Sequence, residues 1–184
     1  MDFEQLFKQM ALEEMPDNVF SPASVVFPVI TAGNVKHYNS MTGSGGGMGV
    51  LFKKPVTWCI LRADRYTLEL MQRVQTYTMS YFAEEYRQQV MFLGSKSGRD
   101  SDKMKEVQLK SIQTPSGNIS FEEAKLIFEC KLVQITTPQL DDFYTQETKE
   151  WLKETYKQPG DIRKYVFGEI TDSWVNVMSE KVSS

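Results

Sequence analysis

Strand-like runs, two of them alternating polar and apolar residues, outnumber the helical stretches of this chain. Ala124 to Thr136 is the clearest case, with AKLIFECKLVQI alternating over much of its length. Successive side chains on a strand point to opposite faces, so such a run buries one face and wets the other. Val56 to Leu61 (VTWCIL) is nearly all apolar and reads as a buried strand, and Thr76 to Phe82 (TYTMSYF) alternates again. Ser24 to Ala32 is strand-like, with Pro28 suggesting an edge or a bulge. A turn at Gly33-Asn34 leads into a further strand, Val35 to Thr42. Ile119 to Phe121 and Tyr165 to Val175 complete the set.

The helical stretches between these runs are short. Residues 2–11 place Phe3, Leu6, Phe7 and Met10 at helical spacing. Thr67 is expected to cap a helix from Leu68 to Val74. Ala83 to Leu93, Asp102 to Leu109 and Thr148 to Tyr156 read as helices, and residues 94–101 as a loop. Six or seven strands with short helices do not make regular βαβ units. The pattern therefore predicts a mainly β, α+β fold, a mostly antiparallel barrel with helical decoration. A length of 184 residues fits a single domain, 1–184. Within it, residues 1–17 are expected as an N-terminal helical extension, and 140–160 as a helical insertion before the last strand.

Composition removes several function classes. A net charge of -3 lacks the basic footprint of a nucleic-acid binder. Cys59 and Cys130 lie far apart in apolar runs, and His37 is the only histidine, so no metal-ligand spacing is present. Buried free thiols in a reducing compartment fit this usage. The start, MDFEQ, lacks a signal-peptide pattern, and no run approaches the roughly 18 apolar residues of a membrane span. The expectation is a cytoplasmic protein without membrane or nucleic-acid partners.

Three polar stretches stand out. Asn39 to Gly49 holds five glycines and the hydroxyls of Ser40, Thr42 and Ser44. These hydroxyls alternate, so on a strand they share a face and, with main-chain N–H groups, suit an anionic head group. As a segment alone it reads first as a flexible Gly/Ser hairpin, and the anion reading needs a second polar cluster beside it. Ser95 to Lys103 (SKSGRDSDK) offers three cations and three hydroxyls running into a helix start. Arg99 can bind a phosphate through two parallel hydrogen bonds, and Lys103 adds a point charge. The alternative is a solvated loop with local Asp–Lys pairs. Arg62, Arg65, Tyr66 and Thr67 follow the buried strand, where they line a site or merely cap a helix. No nucleophile elbow, Cys–His pair or facing carboxylate pair is evident, so no catalytic side chain is assigned. Hard chemistry would then belong to a bound organic cofactor.

The order of these stretches resembles the flavin reductase-like family, FMN-binding split barrels related to flavoredoxin. That family's pattern runs roughly Asn-Thr-Met-Thr-x-Ser-Trp-Gly, Arg-Pro-x-Arg-Tyr-Thr and Ser-Gly-Arg-Asp-x-Asp-Lys. The counterparts here are Asn39-Ser-Met-Thr-Gly-Ser-Gly-Gly46, Arg62-Ala-Asp-Arg-Tyr-Thr67 and Ser97-Gly-Arg-Asp-Ser-Asp-Lys103. The likeness spans about residues 20 to 175. It implies a six-stranded antiparallel Greek-key split barrel with peripheral helices, which dimerises and binds FMN near the dimer interface. It carries cofactor binding to Asn39, Ser40, Met41, Thr42, Ser44, Arg62, Thr67, Ser97, Gly98, Arg99 and Lys103. Gly45 stands where the family has tryptophan, and Ala63 where it has proline. The implied activity is that of a flavoprotein oxidoreductase, a flavin reductase drawing on NADH or NADPH and passing electrons to a small-molecule or protein acceptor. The alternatives are a flavoredoxin-like electron-transfer protein and a flavin-binding module without catalysis.

Overall fold

The computed structural model describes residues 27–157 and 163–176. The expected helix at 2–11 lies outside the described residues. Among the described residues there are nine strands: β1 Val29–Asn34, β2 His37–Thr42, β3 Gly46–Leu51, β4 Lys54–Leu61, β5 Thr76–Tyr81, β6 Ser111–Gln113, β7 Ile119–Phe121, β8 Leu126–Thr136 and β9 Lys164–Val175. The helices are α1 Tyr66–Val74, α2 Arg87–Ser95, α3 Lys103–Glu106 and α4 Gln146–Thr155. Seven strands make one antiparallel sheet in the order β2-β1-β5-β8-β9-β4-β3, and β6 and β7 form a separate two-stranded ribbon.

That order dictates the shape. β2 and β3 sit at opposite edges of the sheet, yet only residues 43–45 join them. Flat, seven strands would hold their outer edges about 29 Å apart, at roughly 4.8 Å per neighbour. Four extended residue steps reach only about 14 Å. The sheet therefore rolls until its edges approach at this corner: a barrel split along one side. Gly43 N–H bonds Pro28 O at 2.8 Å and Ile60 N–H bonds Gly45 O at 3.1 Å, tying the corner to both halves.

The rolled face closes over a core of Ile30, Cys59, Leu61, Tyr77, Met79, Cys130 and Val166, joined by Leu68, Leu70 and Met71 of α1. Glu69 and Arg73 on the outer side of α1 pair at 3.0 Å, so the helix is amphipathic in the usual way. A second core packs α2 (Val90, Leu93) and β7 (Phe121) against Val29 and Phe82. Inside the barrel, burial pushes the Cys59 thiol up to about 12, with Cys130 adding to it, and burial likewise lifts Cys130 to about 11. Both thiols are free and inert by this measure.

Several local expectations shift. The glycine-rich stretch is a loop only over 43–45; from Gly46 it is an edge strand paired along β4, which brings the sheet to seven strands. Glycine is required at Gly46, whose φ of 156° goes with a side-chain position 2.2 Å from Trp58 O. At Gly47 the Trp58 indole lies where a Cβ would point. The turn falls at Val35-Lys36 rather than Gly33-Asn34, because Asn34 Oδ1 accepts from the N–H groups of Lys36 and His37, at 3.0 and 3.2 Å. The segment expected as one helix over 83–93 splits into a 3₁₀ turn, Glu84–Tyr86, followed by α2. The helix expected from Asp102 to Leu109 keeps only Lys103–Glu106, since Gln108 takes a left-handed φ of 57°.

Candidate functional site

Asn39, on edge strand β2, brings two of the three polar stretches to a third. Its Nδ2 donates to Thr67 Oγ1 at 2.7 Å, and its Oδ1 lies 2.0 Å from where a Cβ on Gly98 would sit. Glycine at 98 is what allows the third stretch to press this closely. Thr67 is therefore not the cap expected of it: it lies inside the first turn of α1, and its hydroxyl serves Asn39. The position before α1 is Arg65, with extended backbone and no side-chain cap. The N–H groups of a first helical turn have no partner within the helix and carry its positive dipole end.

Cations surround this uncapped start. Arg99 reaches back to Asp64 O at 2.6 Å and Glu69 Oε2 at 2.8 Å, with its guanidinium 5.0 Å from the Tyr66 ring centroid. The hydroxyl of Tyr66 is met by His37, whose Nε2 is in hydrogen-bond contact with it. Arg62 forms a two-point pair with Asp64, at 3.1 and 2.9 Å. Ser97 Oγ accepts from Arg99 N–H at 3.2 Å, which shapes the turn carrying Gly98.

The remaining residues of the first stretch point elsewhere. Met41 is buried in the barrel core. Ser40 is fully buried, and its Oγ meets Thr31 Oγ1 at 2.8 Å. Thr42 Oγ1 donates to Val90 O of α2. Ser40 and Thr42 do share a face, but both hydroxyls are engaged inside the protein. Ser44 is exposed in the 43–45 corner. Lys103 is only 2% exposed, and its Nζ donates to Leu93 O and Lys96 O at 2.8 and 2.9 Å. Burial, with Arg65 nearby, brings it down to about 8.

His37 and Glu69 also stand at this corner, though neither was expected as a site residue. The signal for His37 was its place two residues before Asn39, on the same face of β2. Glu69 lies three residues after Tyr66, on the same side of α1. A second polar cluster was also missed. Glu129 of β8 is fully buried, and its Oε2 accepts from Thr114 Oγ1 at 2.7 Å and Asn118 Nδ2 at 2.6 Å. Its Oε1 accepts from Trp174 Nε1 at 2.9 Å. This carboxylate ties the β6–β7 ribbon to the sheet and also holds the Trp174 indole of the neighbouring β9. Among the described residues, no three His, Cys, Asp or Glu side chains gather as a metal centre would, and no helix is long and apolar enough to cross a membrane.

The chain belongs to the flavin reductase like domain family, whose model matches residues 26–180. No curated protein matches the sequence significantly. Solved structures do share the fold. An FMN-binding protein from Thermus thermophilus with bound 1-cyclohex-2-enone is 18% identical, with TM-score 0.62 over 82% of this chain and 70% of that one. Flavoredoxin from Methanosarcina acetivorans is 14% identical, with TM-score 0.61 over 92% and 76%. An NADH:FAD oxidoreductase from Streptomyces globisporus C-1027 is 13% identical, with TM-score 0.58 over 80% and 74%. At these identities the likeness establishes the split-barrel fold.

Proposed function

We propose that this protein is an FMN-binding oxidoreductase of the flavin reductase type, taking electrons from NADH or NADPH and passing them to a small-molecule or protein acceptor. The observation that carries the reading is the meeting of Asn39, Thr67 and Gly98 at the uncapped start of α1, among Arg62, Arg65 and Arg99. A phosphate monoester fits that donor set. It needs several N–H donors and fixed positive charge, and an open helix start with guanidinium groups supplies both.

In this reading Arg99, Ser97, Gly98 and the first turn of α1 hold the phosphate, with Arg62 at the rim. Asn39 and Thr67 hold the two walls together. The main chain from Asn39 to Ser44 supports the ring: β2 is an edge strand, so alternate N–H and C=O groups face away from β1. Ser40, Met41 and Thr42 contribute through that backbone, since their side chains are engaged inward. Bound FMN supplies the hydride and electron chemistry, and the protein supplies orientation and electrostatics. Gly45, bare where relatives carry an indole, leaves the approach to the ring wide. The site is proposed to be completed by a second copy of the chain.

The absorption spectrum of freshly purified protein, followed by anaerobic mixing with NADH and with NADPH, tests this. A yellow protein, or one that turns yellow with added FMN, and is bleached by either nucleotide is the expected result. A protein that holds FMN without bleaching is an electron carrier of the flavoredoxin kind instead. A colourless protein that takes up no FMN overturns the reading.

A further inference from the structure

The last helical turn of α2 lacks the usual means of closing. No basic residue lies in that turn, and the chain leaves through Lys96 in an extended conformation. The end carbonyls of a helix are unpaired and carry its negative dipole end, so they call for donors and positive charge. Lys103 supplies both from the far side of the loop. Two of its three N–H groups go to Leu93 O and Lys96 O, and the side chain is buried. On the outside of the same loop Lys96 Nζ pairs with Glu106 Oε2 at 2.7 Å. Residues 96–103 are thus a closed loop pinned at its base. Within it Asp100 N–H bonds Ser97 O at 3.2 Å, and the turn so formed sets Gly98 on Asn39 and sends Arg99 across to α1.

We propose that Lys103 is a positioning residue rather than a phosphate ligand: by capping α2 it fixes the loop that seats Gly98 against Asn39. A lysine with two N–H groups committed to buried carbonyls and almost no exposed surface has little left to offer a ligand. Its charge is matched to the α2 carbonyls, whereas Arg99 reaches the open side. The link from this clamp to FMN rests on the flavin site proposed above; the clamp itself does not.

Hydrogen exchange on the flavin-free protein separates the two roles. In Lys103→Met the amides of residues 97–100 should exchange at least about tenfold faster, while those of β5 and β8 keep their protection, because one local opening has lost its closing bonds. Lys103→Arg, which retains charge and donors, should recover much of that protection. Where FMN binds, the salt dependence of its affinity should keep the same slope in Lys103→Met, since no phosphate contact has been removed. Unchanged exchange at 97–100 in the flavin-free variant overturns the proposal, as does a shallower salt slope. If Lys103→Met does not fold, Lys103→Gln carries the same exchange test with the same two outcomes. Failure of the wild-type protein to bind FMN would sink the flavin site but leave the exchange result standing.

Discussion

Two regions of this barrel bury polar groups, and they do so in opposite ways. Around Glu129 the acceptors are all taken: one carboxylate receives the buried Thr114 and Asn118 and the more exposed Trp174, and among the described residues no cation pairs with it. Around Asn39 the side chains also pair with one another, but they frame a helix start that no side chain caps, with arginines at its rim. The first cluster is complete and holds strands together. In the second, Arg62 and Arg99 are paired with Asp64 and Glu69, and what stays open is the very start of α1, where no side chain meets the first N–H groups and an anion would be favoured. Internal satisfaction, rather than polarity or burial, distinguishes a structural knot from a binding corner.

The largest expected effect is at Glu129. Glu129→Ala strands two buried donors, Thr114 and Asn118, and should cost about 3 kcal/mol of stability, read from urea unfolding, with FMN affinity per folded molecule unchanged. A loss of binding with little loss of stability would mean the two regions are not separate. Gly98→Ala should do the reverse. Its Cβ would collide with Asn39 Oδ1, so the loop must move, and FMN affinity should fall at least about tenfold while stability changes by less than about 1 kcal/mol. Titration of flavin fluorescence and thermal melting would read the two numbers. Thr67→Val removes the acceptor of Asn39 Nδ2 while keeping the volume; a loss of about 1 kcal/mol in stability and a weaker FMN complex are expected.

The smallest effect concerns pH. Lys103 lies below its ordinary 10.5, at about 8. Between those values the unfolded chain binds more protons than the folded one, so this group's contribution to stability rises with pH across the window. Buried thiols and tyrosines work the other way at high pH, so the difference between wild type and Lys103→Met is the useful quantity. It should move in favour of the wild type as pH rises from 8 toward 10.5, in parallel urea titrations.

Much of the fold was legible because strands announce themselves locally. The alternation of AKLIFECKLVQI became β8, and the apolar VTWCIL lies within β4. What local pattern does not carry is pairing. Gly46 to Leu51 lacks a strand's side chains, and it is a strand because β4 offers it a ladder and the Trp58 indole a surface. Ser111 to Gln113 is likewise a strand only beside β7. At the candidate site the three polar stretches were readable as anion-suited chemistry, and Arg99, Ser97 and Thr67 stand at one corner. The uses of individual side chains were not readable. Ser40 turns to Thr31, Thr42 to α2 and Lys103 to two carbonyls, because tertiary neighbours claim a polar group before any ligand does. Glu129 carried no signal at all: the residues that satisfy it come from two other segments of the chain, the turn between β6 and β7 and the end of β9.

The proposed flavin site requires that an uncapped helix start with its arginines recognise the phosphate of a flavin. Calorimetric titration of the flavin-free protein with FMN and, separately, with riboflavin tests it directly, because the two differ only in that phosphate. Clear binding of FMN, with riboflavin weaker by at least about a hundredfold, or roughly 2.7 kcal/mol, is the predicted result. Equal affinities for the two, or no binding of either, would contradict it.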